Sequence, residues 1–221
     1  MRTVIFDLDG TLANTSADLI AAANATFRLI GLGDLLDAKT DQTAAHASVA
    51  AMLRLGFARA DTGFGEDQVE KYHSVLLKTY ADNIDTHTYL YPGASDAIQA
   101  LLSAGYRLGV CTNKPEALAQ KLLERLGVRS CFASLIGGDT MATRKPDPAP
   151  LLEAVRRASG NSQKTVLIGD TVTDLNTARA AAAKIVLVTF GPDGRKVRQL
   201  KPDAVLEHYR DLHGVIAPLI G

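Results

Sequence analysis

Two aspartates stand two residues apart near the start of the chain, in Phe6-Asp7-Leu8-Asp9-Gly10-Thr11. They follow a short β-branched and aromatic run, so an extended backbone puts both carboxylates on one side and Leu8 on the other, toward the core. Like charges held that close cost energy unless a cation neutralises them. Asp170 adds a third carboxylate and Asp174 a fourth, and hard oxygen ligands of this kind suit Mg2+. Gly10 permits close backbone approach, and the Gly10 and Thr11 amides stand where a helix N-terminus is expected, a ready place for anionic oxygens. Thr112 and Asn113 add a hydroxyl and an amide, and Lys145 the positive charge that a carboxylate cluster lacks. Singly, each has an ordinary reading. Asp9-Gly10-Thr11 can be a turn and cap, Thr112-Asn113 a strand end capping the helix after Pro115, and Lys145 a surface-loop lysine. Their convergence argues for a site that binds a cation and an anion together.

That convergence depends on the elements that carry the residues. After Tyr91-Pro92-Gly93 short apolar runs alternate with amphipathic ones. Strands are expected at 107–112, 133–136, 165–168, 185–188 and weakly at 204–206, with helices near 95–104, 116–126, 149–158 and 174–183. This pattern specifies an α/β fold with a doubly wound, Rossmann-like parallel sheet, whose ligand crevice lies beyond the carboxyl ends of the strands. Strand one, at 3–8, belongs to that sheet. Between it and the rest, Leu19, Ile20, Ala23, Phe27 and Ile30, and later Val69, Tyr72, Leu76 and Tyr80, recur at helical spacing. The simplest organisation is a core domain of residues 1–14 and 86–221, with an all-helical domain of residues 15–85 inserted after strand one.

Composition narrows the partners. The 221 residues hold 24 Lys and Arg against 24 Asp and Glu, so no net positive field draws the protein to nucleic acid or to an anionic membrane surface. No apolar run reaches spanning length, and Asp7 interrupts the apolar stretch where a signal peptide would need its core, which gives a cytoplasmic expectation. Cys111 and Cys131 then read as reduced thiols.

Phe6-Asp7-Leu8-Asp9-Gly10-Thr11, Cys111-Thr112-Asn113-Lys114, Arg144-Lys145-Pro146-Asp147-Pro148 and Gly169-Asp170-Thr171-Val172-Thr173-Asp174 resemble, in order and spacing, the four motifs of the haloacid dehalogenase superfamily. Thr112-Asn113-Lys114-Pro115-Glu116 and Gly137-Gly138-Asp139-Thr140 are most similar to its phosphoglycolate phosphatase branch. The resemblance covers nearly the whole chain and makes residues 15–85 a helical cap. It implies a Mg2+-dependent phosphatase of a small phosphate monoester, 2-phosphoglycolate, working as a monomer or homodimer. Asp7 would be the nucleophile that forms an aspartyl phosphate, and Asp9 the acid and base. The Asp7 side chain, the Asp9 carbonyl and Asp170 would hold Mg2+, with Asp174 supporting them. Thr11, Thr112, Asn113, Lys145 and the loop amides of Leu8, Asp9 and Gly10 would bind the phosphoryl oxygens.

The same resemblance leaves other readings. True dehalogenases lack the acid that Asp9 provides, whereas sugar phosphomutases share both acids. A phospho-accepting receiver module gathers similar residues but lacks the long helical insertion. In the cap, His46, Arg54 and Lys39 are candidates for a substrate carboxylate, though Ala44-Ala45-His46-Ala47-Ser48 lacks the glycines common there in the phosphoglycolate group. Thr15 and Ser16 stand at the first hinge.

Overall fold

Strand β1 (Thr3–Phe6) is buried at every position, as a strand covered on both faces of a parallel sheet must be. A computed structural model describes all 221 residues. In chain order the remaining elements are β2 (Ala13–Asn14), α1 (Ser16–Leu29), α2 (Gln42–Ala47), α3 (Val49–Arg59), α4 (Glu66–Asp82), β3 (Tyr89–Leu90) and α5 (Ala94–Ser103). Then come β4 (Arg107–Cys111), α6 (Glu116–Arg125), β5 (Ser134–Ile136), α7 (Ala149–Arg157), β6 (Thr165–Gly169), α8 (Val172–Ala180), β7 (Lys184–Val188), β8 (Ala204–Leu206) and α9 (Leu212–Ile220). The chain separates into two units, Met1–Asn14 with Leu90–Gly221, and Thr15–Tyr89.

The first unit holds a six-stranded sheet in the order β5-β4-β1-β6-β7-β8, with every pairing parallel. The chain winds outward from β1 through β4 and β5, then returns to the other side of β1 through β6. That reversal opens a crevice at the carboxyl end of β1, between β4 and β6. Register sets what lines it: Phe6 lies opposite both Val110 and Ile168, so the residues just beyond these three strands face one another. The sheet is fixed by apolar burial. Ile5, Leu167, Ile185 and Leu187 pack with Leu151, Ala154 and Val155 of α7 and Leu175 and Ala178 of α8, each large side chain contributing about 1.5–3 kcal/mol.

The doubly wound sheet and the helical insertion are as the spacing predicts; the ends differ. β1 stops at Phe6, two residues short of the expected 3–8, because the chain turns at Leu8, whose carbonyl accepts from the amides of Leu12 and Ala13 at 2.9 and 3.0 Å. Asp9 therefore does not extend the strand. α8 starts at Val172, two residues before the expected 174, because Thr171 and Asp174 form a reciprocal capping box there. α9 carries no strong sequence signal, since Pro218 falls inside its nine residues.

The second unit, Thr15–Tyr89, is four helices. Phe57 lies edge-on to Phe27, Phe64 and Tyr72 at centroid distances of 5.7, 5.1 and 6.2 Å. Gly56 lies inside α3 where a Cβ would overlap the Phe27 ring. The buried Asp18 carboxylate accepts from the amides of His87 and Thr88 and from the Thr88 hydroxyl, tying the start of α1 to the end of the unit. No helix of the protein is long and apolar enough to cross a membrane.

Candidate active site

Asp7 directly follows β1, and its amide donates 2.8 Å to the carbonyl of Ile168 in β6, which fixes its backbone at the switch point. Lys145, from the loop before α7, is 4% exposed and reaches both acids behind it. Its Nζ donates to Asp174 Oδ1 at 2.6 Å and stands 3.0 Å from Asp7 Oδ1, without the alignment of a hydrogen bond. Asp174 is fully satisfied: its other oxygen accepts from the amides of Asp170 and Thr171 and from the Thr171 hydroxyl. Burial alone would raise Asp174, but the Lys145 ammonium and the Thr171 hydrogen bonds outweigh it and hold the carboxyl below its ordinary range. Asp7 goes the other way. Burial lifts it to about 6, with Lys145 only partly offsetting that rise.

Asp170 follows β6 and accepts from the Thr11 hydroxyl at 2.9 Å through Oδ1. Its buried Oδ2 receives no hydrogen bond. Burial and the neighbouring carboxylates of Asp174 and Asp7 push Asp170 well above the carboxylate range. Carboxylate oxygens of Asp7, Asp170 and Asp174 lie within 4.8 Å of one another. Buried acids are ordinarily paired. Here Asp174 has its donors, whereas Asp170 Oδ2 has none and Asp7 Oδ1 has only the unaligned Lys145 ammonium at 3.0 Å, so this pair fits a hard divalent cation. Cys111 lies behind the cluster, and burial pushes its thiol up to about 12, so it stays protonated.

Glycine makes room for the cluster. A Cβ on Gly191 would stand 2.7 Å from the Gly10 carbonyl oxygen and 3.0 Å from Asp170 Cβ. Gly191→Ala is therefore expected to cost about 1–3 kcal/mol by pushing the Asp170 backbone against the first loop. Urea unfolding of the variant beside the parent checks this, and an unchanged midpoint and slope would refute it.

The structure places the remaining expected residues unevenly. Thr112 is 3% exposed at the carboxyl end of β4; its hydroxyl oxygen accepts from the Lys114 amide at 3.2 Å, which leaves its proton to donate elsewhere. The side-chain amide of Asn113 donates 3.1 Å to the Lys145 carbonyl, so it braces the Lys145 loop. Gly10 and Thr11 correct the sequence reading. No helix begins there, and their amides donate to the carbonyls of Ala13 and Leu8 at 2.9 and 3.3 Å, because the loop closes on itself before α1 starts at Ser16. Thr11 contributes its side chain to Asp170 instead.

The Asp9 carboxylate is turned to Lys114, whose Nζ donates to both of its oxygens at 2.8 and 3.0 Å. Lys114 has no role in the sequence reading, although it stands inside the Thr112-Asn113-Lys114 motif. A lysine there reads as solvent-facing until the 3D placement of Asp9 is known. Among the candidates in the helical unit, Arg54 forms a two-point ion pair with Glu66 at 2.7 and 2.6 Å, both exposed. His46 Nε2 lies 2.7 Å from the hydroxyl of the buried Ser16. Lys39 is exposed.

Residues 4–188 match the family described as haloacid dehalogenase-like hydrolase. The chain is 36% identical over 206 residues to a phosphoglycolate phosphatase of Mesorhizobium japonicum, covering 93% of this chain and 90% of that protein. It is 37% identical over 209 residues to a phosphoglycolate phosphatase of Agrobacterium fabrum, covering 94% and 89%. Among solved structures, a Haemophilus somnus protein described as a predicted phosphoglycolate phosphatase superposes with a TM-score of 0.85 at 25% identity, covering 96% of each chain. A match this long, over a sheet whose carboxyl edge gathers the clustered acids and the buried lysine, establishes that the chain belongs to the haloacid dehalogenase-like hydrolases.

Proposed function

We propose that this chain is a Mg2+-dependent phosphatase that hydrolyses 2-phosphoglycolate through an aspartyl phosphate on Asp7. The observation that carries the reading is the Asp7 carboxylate at the switch point, with the Lys145 ammonium 3.0 Å away and the donor-free Asp170 oxygen in the same cluster. Two relatives of more than a third identity bear the phosphoglycolate phosphatase name, which supports the substrate.

In this reading Asp7 attacks phosphorus in line while Asp9 gives its proton to the departing alkoxide. Asp9 then takes a proton from water as that water attacks the aspartyl phosphate, which releases phosphate and restores Asp7. The Thr112 hydroxyl and the Lys145 ammonium bind the phosphoryl oxygens, with backbone support from Leu8 and Asp9. Asp7, the Asp9 carbonyl and Asp170 would hold Mg2+, whose charge would offset repulsion between Asp7 and the phosphoryl group. Asp174 keeps Lys145 and the Asp170-Thr171 turn in place.

Phosphate release from a panel of 2-phosphoglycolate, sugar 1- and 6-phosphates and nucleoside monophosphates, with and without EDTA, tests the reading. The expected result is Mg2+-dependent turnover in which 2-phosphoglycolate leads in kcat/KM by more than tenfold, about 1.4 kcal/mol. Another leading ester would overturn the substrate and keep the chemistry; no turnover of any ester would overturn both.

Cation and proton should compete at Asp7. Its folded pKa of about 6 is above the ordinary 3.8, so in metal-free protein this group favours folding at pH 4 and loses that contribution as pH rises through 6. Mg2+ needs the ionised form. Saturating Mg2+ at 100 times its Kd is expected to stabilise by about 2.7 kcal/mol at pH 7.5, and by much less at pH 5. Thermal unfolding at both pH values, with Mg2+ or EDTA, reads this; an equal gain at both would contradict it.

A further inference from the structure

Two buried lysines divide the acids of this site between them. Lys145 serves Asp7 and Asp174, whereas Lys114 serves Asp9. The Lys114 side chain is 4% exposed, whereas that of its partner is 18% exposed. An ammonium buried to this degree costs several kcal/mol in lost hydration and is a poor device for stability. Its backbone is nevertheless held on both sides. The Lys114 amide donates to Thr112 Oγ1 at 3.2 Å, and its carbonyl accepts from Gly138 at 2.8 Å. That second bond needs glycine, since a Cβ on Gly138 would overlap the Asn113 carbonyl. Asp9, by contrast, lies past the end of β1 in a loop, where an aspartate side chain has several rotamers open to it.

We propose that Lys114 is the positioning residue for Asp9: its ammonium, 2.8 and 3.0 Å from the two carboxylate oxygens, anchors the side chain through one of them while the other takes up and delivers the proton that the departing oxygen needs. The inference rests on the reading of Asp9 as acid and base given above. Losing the grip leaves the nucleophile, the cation ligands and the phosphoryl-binding groups untouched, and scatters the group that protonates the leaving oxygen. The damage should then depend on how much the leaving group needs a proton.

The test is first-turnover kinetics with enzyme in excess and Mg2+ present, comparing 2-phosphoglycolate, which departs as an alkoxide, with 4-nitrophenyl phosphate, which departs without help. Lys114→Met is expected to slow glycolate release by about 30-fold and nitrophenolate release by less than about threefold. The KM for 2-phosphoglycolate and the half-saturating Mg2+ should stay within about twofold. Lys114→Gln, whose shorter and uncharged amide can still donate to the carboxylate, should fall between the parent and Lys114→Met, and it carries the test if Lys114→Met fails to fold. Equal losses on the two esters would overturn the proposal. So would a raised KM with kcat kept, which would make Lys114 a substrate contact, and so would no loss at all. Asp9→Asn separates the two levels. If it shows no selective loss on the alkyl ester, the acid and base reading fails. If it shows one and both Lys114 variants do not, only the positioning role fails.

Discussion

Asp7→Asn should fold like the parent and lose Mg2+-dependent phosphate release by at least about a thousandfold, as deletion of an attacking group does in enzymes that work through a covalent intermediate. The amide is nearly isosteric with the carboxylate but has no electron pair able to displace an alkoxide from phosphorus. Stability should not suffer. Asp7 is 8% exposed and its buried charge is already disfavoured, whereas Lys145 keeps its 2.6 Å bond to Asp174 in the variant. The expected pair of observations is thus an unchanged or higher unfolding midpoint without metal, together with loss of turnover. A further readout goes to the step itself. Hydroxylamine, which attacks the carbonyl carbon of an acyl phosphate and displaces phosphate, should leave a hydroxamate on Asp7 of the parent during turnover and none on the variant. Turnover within tenfold of the parent would remove Asp7 from the chemistry.

The placement of Asp7 was readable from sequence because strand β1 is a short, mainly apolar run directly followed by the acids, and because Thr112 and Asp170 also follow mainly apolar runs. Parallel register then brings those three strand ends together without further information. The sequence could not show which acid pairs with which base. The two-residue spacing of Asp7 and Asp9 predicts a shared site only if the strand runs through both, and the turn at Leu8 sends the Asp9 carboxylate to Lys114. The helix start expected at Gly10 fails for a related reason. Glycine and threonine there serve a loop that closes its own amides, and Thr11 supports Asp170 across the sheet, a partner 159 residues away. Gly191 is hidden in the same way, because the closeness of its Cα to Gly10 and Asp170 is a property of packing and leaves no local pattern.

Lys145→Met is expected to destabilise the metal-free protein by about 3–5 kcal/mol and to remove activity, because it strands two buried carboxylates that now share one ammonium. Burial disfavours the charged form of that lysine, but Asp174 and Asp7 more than offset its desolvation and hold its pKa above the ordinary value. Methionine fills the space without the charge, so a cavity does not confuse the result. The pH dependence identifies the cause. In the parent, Asp174 has a depressed pKa, so it contributes stability above the ordinary carboxylate range and loses it as pH falls through its folded value. Without the ammonium, burial and the nearby Asp7 raise Asp174 instead, and its sign reverses: the variant is penalised at pH 7 and relieved as protons bind toward pH 4. Urea unfolding without metal at pH 7 and pH 5 should therefore show a deficit that shrinks at the lower pH. A deficit of the same size at both would mean that Lys145 supports the core by packing alone. Mg2+ should recover part of the stability at pH 7, since it too neutralises Asp7, and none of the activity, since the phosphoryl oxygens have lost the ammonium that binds them.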